Sequence, residues 1–266
     1  MIQTGRAEVA DVEIFWREAP ARRGRGPTLY VHGAPTSSDD WGEFLERTGG
    51  LAPDLPGFGR SGKPAHFDYS IEGYGDALEL LLGQRGVERY SLVVHDWGAA
   101  ALGLAQRAPG RLERLVVIDS VPLLPGYRWH DVARIWRTPL AGELLMGVTT
   151  RSRLRRALRG ATANPDRLVE QVWPHFDHGT QRAILKLHRS SPPSVLEQAG
   201  ARLGELRCPA LVLWGEDDPY IDPSFARRFA DALGGDTRVE VLPGIGHWPW
   251  VDDPRVVDTV VSFLLD

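Results

Sequence analysis

The chain has 266 residues, 42% apolar and 25% charged, with a formal charge of −4; that length holds one large α/β domain with an inserted subdomain, and that charge gives no reason to expect nucleic acid or anionic lipid. A single cysteine, Cys208, excludes an internal disulfide and suits a reducing cytoplasm. No uncharged apolar run reaches the roughly 18 residues of a membrane span, and no basic stretch running into an apolar one marks a secretory signal.

Residues 8–16, EVADVEIFW, alternate as a strand does, and 20–27, rich in Pro, Gly and Arg, read as a turn. Thr28–Val31 is a short strand, 36–47 a helix, and Leu51–Asp54 a second strand. The glycines of 56–62 mark a loop; no P-loop Lys-Ser/Thr follows them, so they are no phosphate cradle. Residues 71–86 form a helix with Leu78, Leu81 and Leu82 on one face. Then come a strand at Tyr90–Val94, a sharp break, a helix over 97–108 and a strand at Leu115–Asp119. Strands alternating with helices predict a mostly parallel sheet covered on both faces.

At Pro122 the pattern changes. Residues 122–205 hold no convincing strand, only short helical segments near 130–137, 139–148, 151–159, 166–172 and 179–189. The arginines of 151–159 spread around their helix and read as a solvated surface. Alternation resumes with a strand at Ala210–Leu213, a helix over 223–233, a strand at Arg238–Leu242 and a last helix over 254–265. An all-helical insert between two strands predicts a lid over 122–205, with the core divided into 1–121 and 206–266.

The break carries the chemistry. His95-Asp96-Trp97-Gly98 puts a carboxylate between a buried strand and a small-residue helix. A hydroxyl or thiol there would form an acyl-enzyme, whereas a carboxylate attacks carbon by displacement and leaves an alkyl ester. The residue type points to an electrophilic sp³ carbon, such as an epoxide or an alkyl halide. Asp218, in LVLWGEDDP, and His247, in LPGIGHWPW, each follow a predicted strand, at the end where open α/β sheets place their sites. His247 is the candidate general base and Asp218 its orienting acid; Asp119 is a second candidate acid. His32 and His95 read as supporting hydrogen bonders.

Five stretches carry a resemblance: HGAPTSS (32–38), DLPGFGRSGKP (54–64), HDWG (95–98), WGEDDP (214–219) and GIGHWPW (244–250). Together they resemble the Asp-nucleophile branch of the α/β-hydrolase superfamily, which includes epoxide hydrolases and haloalkane dehalogenases. The resemblance implies the α/β-hydrolase fold with a helical lid, no cofactor and no metal. It implies that Asp96 forms an ester, that His247 held by Asp218 activates water, and that the N–H groups of Ala34 and Trp97 hold the oxyanion. It also suggests a cis Ala34–Pro35 bond.

Within that branch, a dehalogenase needs two halide donors. These are the Trp after the nucleophile, here Trp97, and either an Asn after His-Gly or a Trp in the lid. Ala34 removes the first alternative, leaving Trp129, Trp136 and Trp173. No Arg follows the HDWG turn, which argues against the fluoroacetate type. An epoxide hydrolase needs ring-opening acids, usually two lid tyrosines. The insert holds one, Tyr127, with His188, His175 and His178 as candidates for the second donor. Epoxide hydrolysis is therefore the leading expectation and dehalogenation the alternative. A binding protein on the same scaffold has no need of Asp96, Asp218 and His247 together. The expected partners are a small apolar electrophile and water, with a homodimer allowed and no nucleic acid or membrane.

Overall fold

Eight strands form one sheet in the order β1-β2-β4-β3-β5-β6-β7-β8 in a computed structural model that describes residues 1–22 and 25–266. They are β1 (Gln3–Val9), β2 (Val12–Ala19), β3 (Thr28–Val31), β4 (Gly50–Pro53), β5 (Tyr90–Asp96), β6 (Leu112–Ser120), β7 (Ala210–Gly215) and β8 (Thr237–Leu242). From β4 through β8 every pairing is parallel; β1 and β2 are an antiparallel hairpin on one edge. The alternating stretch 8–16, expected as one strand, is the middle of that hairpin. Ala10 and Asp11 both take positive φ, 50° and 58°, the backbone of a two-residue turn that matches strand twist. In the expected turn over 20–27, Arg23 and Gly24 lie outside the described residues.

The parallel strands read as continuous apolar runs because both faces are covered. All seven residues of β5 are buried, and its side chains alternate between two cores. Leu92 and Val94 pack with Leu78, Leu81 and Leu104 from α2 (Ile71–Gln84) and α3 (Ala100–Arg107). Val93 joins the opposite cluster, with Phe44 of α1 (Gly42–Thr48) and Val257 and Val260 of the C-terminal helix Arg255–Leu265. Each fully buried Val or Leu contributes roughly 1.5–3 kcal/mol, so the central strands anchor whatever is mounted on their ends. The helix expected over 36–47 is a 3₁₀ turn, Ser38–Trp41, running into α1. Its first carboxylates and the Ser37 cap favour that tight start.

Between β6 and β7 the described residues hold helices and no strand: α4 (Asp131–Arg137), α5 (Ala141–Gly147), α6 (Arg151–Leu158), α7 (Pro165–Val172), α8 (His178–Ser190) and α9 (Pro193–Ala199). The expected segments stop near 189, and α9 is additional: Pro193 occupies its first turn, where its missing N–H costs nothing. After β7 come α10 (Ser224–Ala232), the short α11 (Pro249–Asp252) and α12 (Arg255–Leu265). Among the described residues, no helix is long and apolar enough to cross a membrane.

Candidate active site

Asp96 ends β5 in a conformation that a side chain rarely adopts, φ 47° and ψ −118°. Such strain persists only where surrounding structure over-determines it. Its carbonyl accepts from Val121 N–H at 3.0 Å and from the Ser120 hydroxyl at 3.2 Å. Two glycines make room for the turn. A Cβ on Gly98 would sit 2.2 Å from the Val31 carbonyl oxygen, and one on Gly33 would sit 2.4 Å from Asp96 Cβ.

The two carboxylate oxygens have different surroundings. Oδ2 accepts from Ala34 N–H at 2.9 Å, beside a cis Ala34–Pro35 bond, and the Trp97 N–H also favours the charged carboxylate. Oδ1 lies 3.9 Å from His247 Nε2. Burial pushes Asp96 up to about 6, with His247 and the two N–H groups working against it.

His247 is fixed at three points. Its Nδ1–H donates to Asp218 Oδ2 at 2.8 Å, its N–H donates to the Ala161 carbonyl of the insert at 2.8 Å, and its own carbonyl accepts from His95 Nε2 at 2.8 Å. Burial opposes the imidazolium, but Asp218 and then Asp96 outweigh it, so His247 is raised from its ordinary value. Asp218 Oδ1 accepts N–H groups from Tyr220 and Ile221 at 2.8 and 3.2 Å. His32 bridges the Gly33 carbonyl and Leu55 N–H, bracing the loop that presents Ala34. One oxygen or nitrogen from each of Asp119, Asp218 and His247 lies within 4.8 Å of the others, the one such trio among the described residues close enough for a shared metal ion. The 2.8 Å contact between His247 and Asp218 uses them as hydrogen-bond partners instead.

Asp96, Trp97 and His247 open onto a cavity of about 450 Å³ walled largely by aromatic and aliphatic side chains of the insert, a size and character usual for small-molecule sites. Tyr127 is on that wall, packed edge-on against Trp129 and Phe225. Its hydroxyl has no hydrogen bond among the described residues, and burial followed by the Asp96 and Asp218 charges keeps the phenol protonated far above neutrality.

The structure adds Tyr220, which was not a sequence candidate because the search for a second phenol stayed within the insert. Its ring stands perpendicular to His247 at 5.0 Å. It lines the same cavity, and burial, Asp218 and Asp96 raise its phenol in the same way. The signal was local: an Asp side chain that accepts the N–H two residues on folds that residue back beside itself.

His188 also lines the cavity, but its Nδ1 lies 2.8 Å from the Ile184 carbonyl. Burial above all pushes it down to about 3, so the neutral ring spends its only N–H on Ile184. It offers a ligand a lone pair, which corrects the expectation of a second proton donor there. His175, His178 and Trp173 do not line the cavity. Of the indoles, Trp129 is stacked on Trp97 at 5.3 Å and donates its N–H to the Ser191 carbonyl. Trp136 is set off from Trp97 by the His188 ring, 5.0 and 4.9 Å from the two.

A family model described as the alpha/beta hydrolase family matches residues 29–259. A haloalkane dehalogenase of Bradyrhizobium diazoefficiens is 29% identical, the match covering 87% of this chain and 84% of that protein. Epoxide hydrolase 3 of Xenopus tropicalis is 23% identical over 99% of this chain and 78% of its own. Among solved structures, haloalkane dehalogenase DbeA from Bradyrhizobium elkani superposes with a TM-score of 0.85 at 26% identity, covering 100% of this chain and 98% of that one.

Proposed function

Because the chain belongs to the alpha/beta hydrolase family, we propose that it opens an epoxide to a vicinal diol through an ester on Asp96. Asp96 Oδ1 attacks a ring carbon, the carbon–oxygen bond breaks, and the ring oxygen takes a proton from Tyr127 or Tyr220. Water between His247 Nε2 and the ester carbon then gives its proton to the imidazole and attacks. The oxyanion forms on Oδ2, where the Ala34 and Trp97 N–H groups stand; loss of one such donor typically costs about 3–4 kcal/mol of barrier. On collapse the leaving oxygen takes the imidazolium proton and departs in the diol, and the proton left on the regenerated carboxyl restores the phenol, so that Asp96 is ionised again. In this reading residues 122–205 act as the lid, and the substrate is a small apolar electrophile.

The supporting observation is the pair of phenols, Tyr127 and Tyr220, both without hydrogen bonds among the described residues and both on the cavity wall with Asp96. Two of the candidates for a second halide donor fall away, since Ala34 has no side-chain N–H and the Trp129 indole is already bonded to Ser191, and the third on the cavity wall, Trp136, is set off from Trp97 by the His188 ring.

Dehalogenation by the same Asp96 and His247 is the second reading. Its support is the 29% identical relative and the Trp97 indole, which has no hydrogen bond among the described residues. The variant His247→Gln separates the two. With styrene oxide it should accumulate an adduct of the whole epoxide mass. With 1-bromobutane a dehalogenase would gain only the butyl group. A butyl adduct without an epoxide adduct would reverse the assignment, and no adduct with either would remove the ester.

A further inference from the structure

We propose that Asp119 is a positioning residue that carries a proton and donates it in a hydrogen bond to Asp218, so that two buried carboxyl groups hold a single negative charge behind His247. This inference goes beyond the reaction above and holds for either electrophile.

Asp119, next to last in β6, has 0% exposure and a positive φ of 39°. A buried acidic residue in that backbone conformation is doubly unfavourable unless it serves its neighbours. Its Oδ1 accepts one N–H, from Gly215 at 2.8 Å. Its Oδ2 is buried with no donor facing it. Asp218, by contrast, accepts the N–H groups of Tyr220 and Ile221 and the His247 Nδ1–H. Two buried carboxylates with oxygens within 4.8 Å of each other disfavour a second charge, and the one with three donors keeps the charge. A proton on Asp119 Oδ2 then ends its isolation, because Asp218 is there to accept it. Burial first, then the Asp218 charge, push the Asp119 carboxyl well above the usual carboxylate range.

The consequence falls on His247. A hydrogen bond donated to Asp218 draws off part of its charge and weakens its pull on the imidazolium. The base is thereby kept neutral, as water activation requires, at a lower pH than with Asp218 alone. The other charged and titratable groups around the pair are Asp252 beside Asp119, and Asp96, Asp40, His95, His130 and Tyr220 around His247. None of their side chains donates to Asp218.

The test needs no substrate. His247 is followed by imidazole NMR in the full chain, its signal identified by its loss in His247→Gln. Asp119→Asn keeps a neutral donor in a residue that tolerates positive φ, and its His247 titration should stay within about 0.3 unit of the parent. Asp119→Gly keeps the backbone and removes the donor, and the titration should rise by about one unit. The low-pH limb of ester hydrolysis should move with it. An unmoved titration in Asp119→Gly, or a fall of a unit or more in Asp119→Asn, would overturn the proposal, the latter by showing that Asp119 held the charge. Should the glycine variant not fold, Asp119→Ala is read the same way.

Discussion

The sheet with its loops and the helices inserted over 122–205 are built to different standards. At the strand ends the groups that hold Asp96 and His247 are tied down: Oδ2 to Ala34, His247 to Asp218, Ala161 and His95, Asp218 to two backbone N–H groups. The insert is made of helices no longer than 13 residues. It exposes Val132, Ile135, Leu140, Leu144 and Val148 and leaves the Tyr127 hydroxyl and the Trp136 indole N–H on the cavity wall without a hydrogen bond among the described residues. It also reverses the charge, with 13 Lys and Arg against 7 Asp and Glu, while the rest of the chain has 18 against 28. The difference separates two tasks. In the proposed reaction, bond making demands fixed geometry and belongs to the sheet, while ligand choice is left to side chains with unused donors. Tyr220 crosses that division, because a residue of the sheet's own loop supplies a donor to the insert's cavity.

The sharpest way to break this division is Asp96→Ala. Turnover of every electrophile should drop by at least about 10⁴-fold, measured by product formation; retained activity would move the chemistry elsewhere. Next, Tyr127→Phe and Tyr220→Phe should each slow epoxide ring opening by about 10²-fold and leave hydrolysis of a preformed ester nearly unchanged. Single-turnover kinetics read the two steps separately, and equal losses would put the sheet and the insert on one footing.

A smaller effect comes from pH. Asp96 must be ionised to attack, and its pKa stands at about 6. Ester formation should therefore be flat above about pH 7 and fall about tenfold per unit below 6. The phenols stay protonated across that window, so the fall belongs to the sheet alone. The last contrast is in stability, where the insert's surface should give the smallest effect of all. Leu144→Gln, in the exposed face of α5, should change unfolding free energy by less than about 0.5 kcal/mol. Gly98→Ala should cost at least about 3 kcal/mol, because its Cβ meets a backbone oxygen. Urea titration of both variants measures the contrast.

The same division governs what can be read from residues alone. The parallel strands are legible because burial on both faces turns them into apolar runs such as Ser91–Val94. Asp96 and Asp218 are legible because each sits at or just past such a run, and His247 because it follows the half-exposed strand Thr237–Leu242. The hairpin was hidden because Ala10-Asp11 is not an Asn-Gly type signal, so two alternating strands read as one. In the cavity the decisive facts are long-range. Trp129 spends its N–H on a carbonyl 62 positions away, and the His188 tautomer is set by the turn beneath it. No spacing rule encodes either. Tyr220 was within reach, two residues past an Asp already singled out, but only to a reader who let the acid's turn carry its neighbour inward.

Under the proposed ester mechanism, the unequal surroundings of the two Asp96 oxygens mean that the enzyme does not remain materially the same as it works. Through the ester, the atom beside His247 departs inside each product and is replaced from solvent. The atom cradled by Ala34 is never exchanged. One half of the carboxylate is a consumable, renewed at every cycle, and the other is a permanent part of the frame.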